Sequence, residues 1–163
     1  MNQHVSDRSI PVRPFKEEDA PALADLHKRA ILATYPSCYT QDVVEAWANS
    51  RAPERYLKAQ ERGEQFLVYE LEGKPLGFIS WKDGELCAMY VDPDHHKQGI
   101  GSLLTSSAAF IALQEGKPLS WVKAALPAQG FYEKMGFVFK EFGTSQIGDH
   151  TIQDVLLEYR LPE

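Results

Sequence analysis

Cysteine is scarce in this 163-residue chain, where Cys38 and Cys87 are the only two. So small a number excludes a disulfide framework, and the pair has no metal-binding spacing. Both read as reduced thiols of a cytoplasmic protein. Long apolar runs are missing as well. No stretch approaches the ~20 residues that a membrane-spanning helix needs. The opening MNQHVSDRS lacks the apolar core of a signal peptide. Residues 1–9 are expected to be a flexible tail ahead of a single domain over 10–163. Positive charge is in deficit, with 17 Lys and Arg against 23 Asp and Glu, a net charge of −6. That balance argues against nucleic acid as a partner, since such binding needs clustered cations. Membrane association is not expected either. The five histidines, at 4, 27, 95, 96 and 150, form no helical pair, so no metal site is expected. Internal repeats and low-complexity linkers are absent.

What remains is an ordinary globular composition, 44% apolar and 25% charged, in a chain long enough to bury a core without staples. The segment IPVRPF reads as a short first strand limited by its prolines. KEEDAPALADLHKRAILATY follows as a helix, with Asp19 as N-cap, Pro21 in the first turn and Pro36 as its stop. TQDVVEAWANS and PERYLKAQERG read as two further short helices, the second closed by Gly63. The period then changes to two. QFLVYELEG, LGFISWKDG and ELCAMYV are joined by tight turns and read as an antiparallel meander. GIGSLLTSSAAFIALQEG is the longest helical pattern. PLSWVKAA is a strand, PAQGFYEKMG a short helix, and FVFKEFG and HTIQDVLLEYRL are closing strands. The element order is β, helices, βββ, α, β, α, ββ, an α/β chain.

Between the meander and the long helix stands HHKQGIGSLL, residues 95–104. A helix start with two glycines presents unpaired N–H groups and a positive dipole end, which together hold an anion. The N–H groups of Lys97 to Ser102 would converge on one point. A P-loop would need Gly-Lys-Ser/Thr, and here Ser102 and Leu103 follow Gly101. A dinucleotide fingerprint would need a small residue where Leu104 stands.

Two motifs together carry a resemblance. MYVDPDHHKQGIGSLL and, about thirty residues later, AQGFYEKMGF resemble the GNAT superfamily of acyl-CoA-dependent N-acyltransferases, and the element order matches that family from Ile10 to Leu161. The resemblance implies a mixed, mostly antiparallel sheet of six or seven strands with helices on both faces. Strands four and five would splay apart. It implies an enzyme that transfers acetyl from acetyl-CoA to a primary amine by direct attack. The alternative is a CoA-binding or sensory module that has lost transfer. Two departures stand out. His96 occupies a place where the family usually has Gln or Arg, and Ala125 stands where an asparagine often contacts the cofactor.

By the same resemblance, His96, Lys97, Gln98, Gly99, Ile100, Gly101 and Ser102 hold the CoA pyrophosphate, and Met89, Tyr90 and Val91 lie along the pantetheine arm. Tyr132 is the expected general acid for the leaving thiolate. The attacking amine must lose a proton, since ammonium groups titrate near 10. Glu85 is the candidate base, directly or through water, with His150 as a rival. Two-residue alternation puts Glu85, Cys87, Met89 and Val91 on one face. Cys87 is expected to be a packed strand residue and no nucleophile. Tyr35, Tyr39 and Trp47 either line the acceptor pocket or close the core. The sequence names neither the acceptor nor the oligomeric state, a homodimer among the options, nor the acyl length.

Overall fold

A computed structural model describes residues 11–159. The expected tail at residues 1–9 and the ends of the family match, Ile10 and Leu161, lie outside the described residues. Seven strands form one sheet in the order β1-β2-β3-β4-β5-β7-β6. The strands are β1 (Val12–Pro14), β2 (Gln65–Leu71), β3 (Lys74–Lys82), β4 (Glu85–Val91), β5 (Trp121–Ala125), β6 (Phe137–Ile147) and β7 (His150–Tyr159). Every neighbouring pair is antiparallel except β4 and β5. The helices are α1 (Ala20–Thr34), α2 (Gln41–Asn49), α3 (Glu54–Glu61), α4 (Ile100–Gln114) and α5 (Gln129–Lys134). This is the mixed, mostly antiparallel α/β sheet that the family resemblance implies.

The helices divide between the two faces, each with its own core. On one face Ile100, Leu104, Ala108 and Ala112 of α4 pack on Leu67, Ile79, Leu86, Val122 and Leu157. Their spacing is the apolar stripe of α4. On the other face Leu23 and Leu26 of α1 and Tyr56 of α3 meet Phe66, Val68 and Phe78. Because side chains alternate along a strand, neighbouring residues of β2 and β3 feed opposite cores. A third cluster joins Ile31, Tyr35, Val44 and Trp47 to Ile152.

Asp19 does precede α1, but its side chain caps no N–H of that helix. Its buried carboxylate instead accepts a fork of hydrogen bonds from Arg13, both at 2.8 Å, and one from the Lys16 N–H. Propensity fixed the boundary, while a tertiary ion pair took the side chain.

The β4–β5 contact positions the site. The two strands pair only at Glu85 opposite Trp121 and Leu86 opposite Val122. Beyond that the strands part, leaving one edge of β4 unpaired while β3 still pairs its other edge out to Val91. The register between β3 and β4 also slips by one, since Ser80 faces Ala88 whereas Trp81 faces Leu86. Cys87 is thus the extra residue of a bulge. This corrects the expected alternation. Leu86, Met89 and Val91 pack with α4, and Ala88 and Tyr90 pack with α1. Glu85 therefore lies on the α1–α3 face, opposite to Met89 and Val91.

Candidate active site

Two cavities meet where β4 and β5 part. The first, about 520 Å³, is lined by Met89 to Val91, by the loop before α4, by Ala124 and Ala125, and by Phe131 and Tyr132. The second, about 830 Å³, lies on the α1–α3 face between His27, Trp47, Arg51, Tyr56, Ser80 and Asp154. Both include Cys87, Ala88, Tyr90, Lys123, Ala124 and Ala125 in their walls. The gap in the sheet is therefore the common wall of two chambers.

The loop at the mouth of the first cavity is built by local chemistry. Asp92 is 1% exposed and accepts a fork from Arg29 of α1 at 3.0 and 2.7 Å. The same carboxylate accepts from the Asp94 N–H, which tightens the turn at Pro93–His95. Arg29 holds the Asp92 carboxyl down at about 2. Lys97 (φ 64) and Gly99 (φ 81) both take left-handed backbone, and Gly99 caps α4. The first bond of the helix runs from the Leu103 N–H to the Gly99 carbonyl at 3.0 Å. Among the described residues, no bond to a protein acceptor is found for the N–H groups of Lys97 to Ser102. The imidazole of His96 bonds the Val91 carbonyl at 3.0 Å. Gly101 sits in close approach, because a Cβ there would stand 3.2 Å from the Phe131 ring and 3.3 Å from Met89 Cε, and both side chains would have to give way.

Of the residues expected at a CoA site, Met89, Tyr90, Val91, His96, Lys97, Gly99, Ile100, Gly101 and Ser102 line the first cavity; Gln98 does not. Tyr132 is 3% exposed and lines it too. Its hydroxyl has no hydrogen-bond partner among the described residues, and burial pushes its pKa far up, so the proton stays on. Cys87 stands in the bulge between the chambers, and burial, with Glu64 and Glu85 nearby, pushes its thiol up to about 12.

The three aromatics separate. Tyr35 lines the first cavity and Trp47 the second. Tyr39 lines neither, because its hydroxyl accepts from the Leu126 N–H and donates to the Gln153 carbonyl. The three rings pack together, and Tyr35 and Tyr90 join hydroxyls at 2.7 Å. Glu85 stands outside both linings, but its neighbours Glu64 and Lys123 line the second. Its carboxyl is raised, chiefly by burial and then by Glu64. His150 lines neither chamber and sits 4.0 Å from Asp42. Sequence reasoning missed His27, Arg51 and Asp154. They come from α1, the α2–α3 connection and β7, and only the fold brings them to one chamber.

Comparison with known proteins agrees with this geometry. The acetyltransferase (GNAT) domain family matches residues 62–139. An uncharacterized N-acetyltransferase, YafP of Escherichia coli, is 27% identical over 79% of this chain and 81% of its own. The peptidyl-lysine N-acetyltransferase YjaB of Salmonella typhimurium is 27% identical over 86% of this chain and 90% of its own. The crystal structure of an N-acetyltransferase from Rhodopseudomonas palustris superposes with a TM-score of 0.85 at 28% identity, covering 92% of this chain and 94% of that one.

Proposed function

Because this chain belongs to the GNAT superfamily of acyl-CoA-dependent N-acetyltransferases, we propose that it moves acetyl from acetyl-CoA to a primary amine by direct attack. One observation carries this reading: two chambers share a wall where β4 and β5 part. A donor in the first chamber and an acceptor in the second can meet only there.

The free N–H groups from Lys97 to Ser102, with the positive end of α4, hold the donor's pyrophosphate. The open edge of β4 at Met89 to Val91 receives its extended arm in the manner of an added strand. The amine nitrogen attacks the thioester carbonyl carbon, a C–N bond forms, the C–S bond breaks, and the thiolate leaves. Tyr132 supplies the proton that the sulfur takes, since its hydroxyl is protonated and otherwise unpaired. On the far side the amine loses its proton to Glu85 through water. The raised carboxyl of Glu85 suits that task. No enzyme nucleophile is needed, because holding the two reactants together is itself a large part of the rate.

Calorimetry with acetyl-CoA, followed by thiol-release assays over an amine panel, tests the reading. Binding together with amine-dependent release of CoA supports it. Failure to bind acetyl-CoA would refute it. The pH profile of kcat/KM in Glu85→Gln identifies the base: a lost acidic limb assigns Glu85, while the same loss in Asp154→Asn reassigns the proton to Asp154.

A further inference from the structure

Buried polar groups in folded proteins nearly always have partners. Among the described residues, five buried side-chain atoms lack one: His27 Nε2, Arg51 Nε, Ser80 Oγ, Trp81 Nε1 and Asp154 Oδ1. Four of these five belong to residues that line the second chamber. The unmet bonding capacity of the interior is gathered around one space.

Arg51 is the unusual member. Among the described residues, the two other partly buried arginines are paired, Arg13 with Asp19 and Glu70, and Arg29 with Asp25 and Asp92. Arg51 makes no ion pair and no side-chain hydrogen bond among the described residues. Burial, and then another cation, Arg55, four residues on at the start of α3, push its pKa down. Lysine and arginine contribute six side chains to this chamber, against three carboxylates, Glu54, Glu64 and Asp154. That inverts the sign of a chain whose net charge is −6. A partly buried guanidinium beside a second cation is costly unless an anion completes it. Its planar fork fits a carboxylate.

Asp154 offers the complement. It is 3% exposed, accepts from Ser145, and keeps one oxygen without a partner. Lys123 stands 3.6 Å from its other oxygen. One chamber thus holds a cation that lacks an anion and a carboxylate oxygen that lacks a donor. We propose that the acceptor is a small amine that also carries a carboxylate, bound with the carboxylate on Arg51 and the ammonium toward Asp154. This rests on the transferase reading above. The volume, about 830 Å³, suits a small molecule. The chemistry differs from that of a peptidyl-lysine acceptor, the substrate named for the Salmonella relative, because a cationic segment would meet six like charges here.

The test compares each amino acid with its carboxamide and its decarboxylated amine, using acetyl-CoA as donor. The acid should exceed its amide in kcat/KM by about tenfold or more, the usual worth of a charge-assisted bond. In Arg51→Gln that ratio should fall toward one through a rise in KM, while acetyl-CoA affinity measured by calorimetry stays unchanged. Arg51→Lys should restore part of the preference. Equal turnover of acid and amide by the wild type overturns the proposal. So does preference for a lysine peptide, or turnover of no carboxylate-bearing amine by a protein that binds acetyl-CoA. Absence of acetyl-CoA binding instead removes the proposed function, and this inference with it.

Discussion

Tyr132 and Cys87 stand within the same gap, yet their chemistry separates them. The Tyr132 hydroxyl is buried, protonated and free to donate. Tyr132→Phe keeps the ring, which packs edge-on against Phe131 and Phe137, and deletes only the donor. A general acid is typically worth about 10²–10⁴ in rate. The loss should appear in kcat with acetyl-CoA affinity nearly unchanged. Wild-type kcat in the folded variant would remove Tyr132 from the mechanism. Cys87 is the opposite case. A thiol pushed up to about 12 is not a thiolate near neutrality. Cys87→Ala should therefore keep transfer, and no acetylated Cys87 should be trapped by mass spectrometry. Both residues are singled out by the sequence, one by the FYEK motif and one by its apolar neighbours. Arg51 and Asp154 could not, since a lone arginine between helices and a lone aspartate in a strand carry no local signal. Their meaning arises only when the fold leaves the Arg51 guanidinium and one Asp154 oxygen without partners beside one chamber.

Among the elements, the long helix and its glycine loop were the most legible part of the chain. Their signals are local: a left-handed Gly99, an apolar stripe and a closing glycine. The β4 bulge was not legible. Alternation assumes an unbroken pleat, and one extra residue at Cys87 moved Glu85 to the other face. No residue type announces such a slip, because the β3 register and both cores decide it together. The packing of α4 on β4 can be tested at Gly101. A valine there would press on Phe131 and Met89, flexible side chains that also line the first cavity. Gly101→Val should cost about 1–3 kcal/mol in stability by overpacking. Acetyl-CoA affinity should fall by about tenfold or more, since ~1.4 kcal/mol of lost contact already has that effect. Unchanged affinity by calorimetry would show that the loop does not cradle the donor.

At the scale of the whole molecule, burial of ionisable groups sets the response to acid, and the signs differ among them. His27 is 3% exposed between Tyr56, Phe78 and Tyr90. Burial, then Arg51 and Arg55, hold its pKa well below the ordinary 6.5. The unfolded chain takes up that proton near 6.5 and the folded chain refuses it, so stability falls as pH drops below that point. The slope from one such group is ~1.4 kcal/mol per pH unit. Asp92, held down at about 2 by Arg29, stabilises above the ordinary 3.8 and loses its contribution as pH falls toward 2. Glu85 works in the other direction. Its raised carboxyl takes a proton more readily in the folded state, which favours folding as pH falls through that raised value. The interval from pH 6.5 to about 5.5 is therefore where the His27 loss should appear, above the range in which carboxylates of ordinary pKa titrate. Urea unfolding at pH 7.5, 6.5 and 5.5 should show this decline in the wild type. In His27→Phe, which keeps a ring against Tyr90, the decline over that interval should flatten even though the Tyr56 hydrogen bond is lost. A flat wild-type profile, or the same slope in His27→Phe, would show that His27 is not the group that titrates.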